Sequence, residues 1–168
     1  MRPEIIIDGS EGEGGGQVLR TSLSLSAITG KPVRIENVRG RRKKPGLFRQ
    51  HLTAFKAAAE ICDADMDGAE LGSLEIAFHP GQIKGGNYEF SIGSAGATNL
   101  VAQTLLPILA HADKPSEVKI SGGTHNQWAP TFDFLDQAFL PQYRKMGCLL
   151  YTSPSPRDQR GSRMPSSA

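Results

Sequence analysis

The chain has 168 residues and 18.1 kDa, enough for one ordinary domain or part of a larger one, with 38% hydrophobic and 21% charged residues, as a soluble globular core requires. No apolar run approaches the ~20 residues of a membrane span, the opening run of Ile5 to Ile7 is too short for a signal peptide, and a net charge of +2 does not by itself argue for nucleic acid. Two cysteines, Cys62 and Cys148, make neither a disulfide framework nor a CxxC pair, which points to a reducing, cytoplasmic setting.

In chain order, Ile5-Ile6-Ile7 is a β-branched run closed by Asp8-Gly9, a strand and a turn. Leu19, Leu23 and Leu25–Ile28 recur at helical spacing until Gly30 and Pro32 stop them. Val33, Ile35 and Val38 suit a half-buried strand. Pro45 is expected to open a second helix, with Leu52, Phe55, Ala59 and Cys62 on one face. Leu74, Ile76 and Phe78 alternate as a strand before Pro80-Gly81. Beyond it come a strand over Tyr88–Ile92, a helix over Gly96–Ala112, a strand over Val118–Ser121 and a helix over Pro130–Lys145. Pro107 and Pro141 should kink or shorten their helices.

These elements form two copies of one unit. Lys31-Pro32 maps onto Lys114-Pro115 and Gly40 onto Gly123, at a constant offset of 83. Each copy reads strand, glycine-bearing turn, helix, Lys-Pro turn, strand, glycine-rich loop, helix. The expected fold class is therefore α+β with alternating α/β units, helices covering one side of a small sheet. Residues 1–82 hold the first unit and residues 83–147 an incomplete second one. Residues 148–168 are expected to be a disordered, non-native tail, because SPSPRDQRGSRMPSSA has almost nothing to bury. Its three arginines and one aspartate account for the whole net charge.

The glycines, 19 in all, cluster in the turns. In Gly9-Ser10-Glu11-Gly12-Glu13-Gly14-Gly15-Gly16-Gln17, successive backbone N–H groups and a helix start could cradle phosphate oxygens. The GK[ST] ending of a P-loop is absent. Two carboxylates would repel phosphate, so either Glu11 and Glu13 simply lie in solvent or a divalent metal bridges Glu13 to a polyphosphate. Arg20, one helical turn on, can point back to this turn. Arg39, Arg41, Arg42, Lys43, Lys44 and Arg49 crowd together without an acid after the second strand, and emerge at the same end of the sheet if the strands are parallel. The planar forks of Arg39 and Arg42 are better matched to phosphate than the flanking lysines. In the second copy Arg20 becomes Gln103 and the basic run becomes Thr124-His125-Asn126-Gln127, neutral groups suited to the base end of a nucleotide. Gln103 and Pro130 are candidates there, with helix-side hydrogen bonding and helix opening as their plainer readings. His51, His79, His111 and His125 show no metal-ligand spacing, and Trp128 and Tyr143 are expected to be packing residues, one Trp by itself making no stacking platform.

Together, DGSEGEGGGQVLR, RGRRKKPGLFRQHL, GAELGS, SIGSAGATNLVAQTLLP and SGGTHN resemble the RNA 3′-terminal phosphate cyclase family, over about Pro3 to Gly147. The resemblance implies repeated βαβαββ units, akin to those of enolpyruvyl transferases. It also implies an ATP-dependent, ligase-like enzyme whose partners are RNA 3′-phosphate ends. In that family a histidine attacks ATP to form an adenylate, AMP passes to the RNA 3′-phosphate, and the neighbouring 2′-hydroxyl closes a 2′,3′-cyclic phosphate. By position, Glu13 would serve the metal (Mg2+ or Mn2+), and Gln17, Arg20, Arg39, Arg42 and Gln50 the phosphate or RNA end. Gln103 and Pro130 would contact the adenylate, with Arg49 and His51 as neighbours. The family's nucleophilic histidine and its HGxxPxGGG-type motif have no counterpart in the sequence, nor do its third repeat and small inserted domain. The expectation is an N-terminal portion that is inactive alone. A non-catalytic, cyclase-like RNA-binding protein of ribosome assembly is the alternative, followed by an enolpyruvyl transferase portion.

Overall fold

A computed structural model describes residues 4–146. The expectation of a disordered tail over residues 148–168 lies outside them. Strand β1 (Ile5–Asp8) is followed by α1 (Gly16–Thr29), β2 (Val33–Glu36), α2 (Arg49–Cys62), β3 (Asp65–Asp67) and β4 (Ile76–His79). The second unit contains β5 (Asn87–Ser91), α3 (Thr98–Leu109) and β6 (Glu117–Ser121), then α4 (Phe132–Phe134), a π-helical turn (Leu135–Phe139) and α5 (Leu140–Lys145). Alternating α/β units are therefore the fold, as the repeat requires.

Strands β1 and β2 pair in parallel from Ile5↔Val33 to Asp8↔Glu36, and the sheet continues antiparallel in the order β1-β2-β4-β3. In the second unit β5 and β6 repeat the parallel pairing, from Asn87↔Glu117 to Ser91↔Ser121. Leu19, Leu23 and Ala27 make the buried stripe of α1, which Gly30 ends in a left-handed conformation at φ 64°. Strand β3 was not legible in the sequence. Its Asp-Met-Asp residues are all exposed on an edge strand and leave no hydrophobic alternation.

Several boundaries differ from expectation; β4 starts at Ile76 and leaves Leu74 outside it, and α3 starts at Thr98 rather than Gly96. Helix α2 starts at Arg49 rather than Pro45, because the stretch before it is tied to other backbone: Gly46 N–H donates to Val38 and Leu47 N–H to Ser73. Helix α3 runs through Pro107 and ends at Leu109 rather than Ala112: the Ala110 N–H still reaches back to Leu106, but those of His111 and Ala112 bond only three residues back. The single helix expected over Pro130–Lys145 opens later and is broken. Thr131 caps α4 through its hydroxyl, and the Leu140 N–H reaches five residues back to Leu135 just ahead of Pro141.

The two units share a core. Helices α1, α2 and α3 pack on one another, and one apolar cluster runs from Leu19, Phe55 and Ile76 through Phe90, Val101 and Leu105. The Ser24 hydroxyl on α1 donates to the Thr104 carbonyl of α3 at 2.8 Å, within this seam. Among the described residues no helix is long and apolar enough to cross a membrane. Tyr143 does pack, its ring 5.0 Å from Phe139, but Trp128 does not: it is 88% exposed, on a turn tip rather than in the core.

Candidate functional site

Because β1 and β2 are parallel, the turn after one and the loop after the other leave the sheet at the same end. Asp8 joins them, accepting from the Ser10 N–H at 2.9 Å and from Asn37 Nδ2 at 3.2 Å. The Gly9 N–H adds a bond to Glu36 at 2.7 Å. Glycine is required at the contact itself. Gly14 has φ 54°, and a Cβ there would stand 2.7 Å from Arg41 Cβ. A Cβ on Gly15 would stand 2.5 Å from Arg42 Nη2, and one on Gly16 would collide with His51 Nε2. The bare backbone lets basic side chains lie directly against the N-terminus of α1.

The arginines divide by what they touch. Arg41 donates to the Gly12 carbonyl at 2.9 Å and ties loop to turn. Arg39, itself at φ 57°, donates to the carbonyls of Lys44 and Gly46 at 3.0 and 2.9 Å, and its guanidinium lies 3.9 Å over the Phe48 ring. Arg20 donates to Gln17 Oε1 at 2.9 Å, and its Nη1 borders Gly16. Burial holds the Arg20 and Arg39 guanidiniums below their ordinary pKa, with Arg42 adding repulsion at Arg39. Among the described residues neither has a carboxylate partner. Arg42 has one, Glu13, at 3.5 Å.

His51 completes the frame. It is the third residue of α2 and accepts the Phe48 N–H on Nδ1 at 3.2 Å, the reach-back of a capping box made by an imidazole. That bond leaves the proton on Nε2, which faces Gly16. Desolvation, then the charges of Arg39 and Arg20, lower its pKa to about 3, so the ring is neutral. In the sequence His51 reads only as a neighbour of the basic loop. Its position three residues past the true helix cap was the missing signal, hidden by the misplaced helix start.

Turn, loop and helix starts enclose a cleft of about 1180 Å³, lined by Glu13, Gln17, Arg20, Arg39, Arg42 and Gln50 among others. Gln50 also bridges the units, its Oε1 accepting the Ala97 N–H at the head of α3 at 3.0 Å. Gln103 lies instead in a smaller recess of about 190 Å³ between α1 and α3, which shares Gln17 and Arg20 with the main cleft. Pro130 lines neither; its carbonyl accepts Asn99 Nδ2 at 2.8 Å. Asn99, only 3% exposed, also reaches the Thr124 carbonyl and anchors the loop that follows β6. No sequence motif marked that role.

The donor set is too sparse to hold a resident metal ion on its own. The Glu13 side chain is 94% exposed, and among the described residues no three His, Cys, Asp or Glu side chains gather as a metal site. One carboxylate is too few for a resident ion. It suits a divalent cation only when a polyphosphate brings further oxygens.

A family model described as RNA 3′-terminal phosphate cyclase matches residues 11–157, running past Gly147. The chain is similar to proteins named RNA 3′-terminal phosphate cyclase from Ectopseudomonas mendocina strain ymp, 60% identical over 134 residues, 80% of this chain and 39% of that protein. It is likewise similar to those of Pseudomonas fluorescens strain Pf-5, 59% over 148 residues (88% and 43%), and Ralstonia nicotianae, 58% over 145 residues (86% and 42%). The chain thus spans about two-fifths of the length of these curated relatives.

Proposed function

The chain belongs to the RNA 3′-terminal phosphate cyclase family, and from that premise we propose that its cleft binds the phosphates of an ATP-dependent cyclisation of RNA 3′ ends. In the whole reaction ATP and an RNA 3′-phosphate give AMP, pyrophosphate and a 2′,3′-cyclic phosphate. The observation that carries the reading is a basic cleft at a bare helix N-terminus. The part-buried Arg20 guanidinium and Arg42 lie against Gly16 and Gly15, and Arg39 lines the same cleft. Among the described residues neither Arg20 nor Arg39 has a carboxylate partner. Part-burying such cations costs free energy that a bound oxyanion offsets through charge-assisted hydrogen bonds.

In this reading Arg20, Arg42 and Gln17 donate to phosphate oxygens. Arg39 adds charge from the loop it braces, and Gln50 sets the distance between the units. His51 contributes a neutral N–H donor that does not titrate near pH 7. Glu13 would hold the divalent ion, which supplies charge neutralisation on the polyphosphate. Gln103 and Pro130 stay proposed adenylate contacts, reached outside the main cleft. The setting proposed is cytoplasmic, suited to Cys62, a buried free thiol whose pKa burial pushes up to about 11.

We assign none of the four histidines as the nucleophile. His51 is hemmed in, His79 faces Glu4, His111 bonds its own helix and His125 pairs with Asp133. The 168-residue chain should therefore bind but not become adenylated. Calorimetry with short oligoribonucleotides should show a 3′-phosphate end binding about tenfold tighter than a 3′-hydroxyl end, the worth of one or two charge-assisted bonds. Equal affinity for both ends would favour the non-catalytic RNA-binding reading. Incubation with α-labelled ATP and magnesium should leave no labelled protein; an acid-labile labelled band would make one of these histidines the nucleophile.

A further inference from the structure

We propose that Trp128 is the stacking platform for the terminal base of an RNA strand whose 3′-phosphate lies at the glycine turn; this rests on reading that turn as a phosphate site. The residue is 88% exposed yet lines the same cleft as Gly14–Gly16, Arg20 and Arg42. An indole is the largest apolar side chain, and burying it would add to stability. Here the chain displays it on a fixed mount. The Ala129 N–H closes a turn onto the Asn126 carbonyl at 3.2 Å. On one flank Asn126 Nδ2 donates to the Ala95 carbonyl at 2.5 Å, and on the other Asn99 holds the Pro130 carbonyl at 2.8 Å. The Phe132 N–H fastens the segment again to Thr124 at 3.1 Å.

Of the other rings at the cleft, Phe48 already carries a guanidinium 3.9 Å over its face and the His51 imidazole is packed against Gly16. Among the described residues Trp128 has no ring or cation contact, so its π-face is the one on offer. A basic cleft with an open aromatic face is how proteins hold single-stranded nucleic acid, phosphates on cations and bases on rings. The base and 3′-phosphate of one nucleotide share a ribose, so fixing the phosphate at the turn holds its base within the same cleft. At about 1180 Å³ the cleft exceeds the ~300–1,000 Å³ typical of small-molecule pockets, which suits the end of a polymer. The cleft also holds Glu13, the proposed metal ligand on the polyphosphate. Gln103 and Pro130, the residues proposed for the adenylate, do not line it, so Trp128 is assigned to the RNA base, and an ATP titration separates the two.

Trp128 is the only tryptophan in the chain, so its fluorescence reports on this face alone. The test titrates the 168-residue protein with three probes in magnesium: an oligoribonucleotide ending in a 3′-phosphate, the same strand abasic at its last position, and ATP. Fluorescence and calorimetry are followed in parallel. The intact strand should quench Trp128 with the calorimetric midpoint, and the abasic strand should bind about tenfold more weakly without quenching, as the loss of one base–aromatic stack predicts. Trp128→Ala should bind both strands equally at the weaker level, and Trp128→Phe should recover most of the difference. Strands that bind with equal affinity to wild type and Trp128→Ala overturn the stacking assignment alone. Quenching by ATP with no penalty for the abasic end also overturns it, by making the base adenine. No binding of the 3′-phosphate strand overturns the phosphate site as well.

Discussion

His51 occupies the third position of α2, where a side chain reaches the N–H before the helix, and that one bond sets its tautomer. Its folded pKa of about 3 lies below the ordinary histidine value of 6.5, so the unfolded chain takes up a proton that the folded chain refuses. Stability is then lost as pH falls from about 6.5 towards 3, by up to about 1.4 kcal/mol per pH unit. Denaturant melts of wild type and His51→Gln across that range should show the variant lacking this slope. The arginines part company in the same way. The Arg42 side chain lies against Gly15 and pairs with the exposed carboxylate of Glu13, so Arg42→Ala should weaken 3′-phosphate binding about tenfold and leave the melting temperature within about a degree. Arg39 bonds two carbonyls and covers a ring, so Arg39→Ala should also lose about 2 kcal/mol of stability in the same melts.

Among the elements, the α2 start is the most consequential. The rule that proline opens helices favoured Pro45, but Gly46 and Leu47 spend their N–H groups on Val38 and Ser73, and helix geometry begins only once those ties end. The shift carries Gln50 and His51 into the first turn, one facing α3 and the other α1. Gln50→Ala should strip the Ala97 N–H of its acceptor and cost about 1 kcal/mol. Hydrogen exchange at Ala97 should rise selectively; an unchanged rate there would mean that water replaces the amide. The glycine turn, by contrast, was legible as a unit, since its spacing after a strand and before a helix is a local property.

At the scale of the molecule, the repeat does not mean two independent cores. Val101, Leu105 and Ile108 of the second unit sit in the same cluster as Leu19, Leu23 and Phe55 of the first. Leu105→Ala, at a side chain 1% exposed, should cost about 2–5 kcal/mol. Its melt should remain a single transition, with exchange protection lost in α1 together with α3. Two separated transitions would show that the seam between the units is weaker than its burial implies.

The sequence by itself determined the alternation of strands and helices, the offset of 83 between the units and the glycine turn with its basic neighbour. These follow from periodicity and from residues whose backbone preferences are local. Only the tertiary structure decided which cations are desolvated, which face partners and which groups meet at one cleft. Arg39 and Arg42 look alike in the sequence, yet one is stapled to backbone and ring while the other reaches a carboxylate. Trp128 reads as a core residue because burial favours indole, and the pinned turn holding it outward depends on Asn99 and Ala95, about thirty residues away in the chain. Burial and long-range hydrogen bonds belong to the packed chain, and no window of sequence contains them.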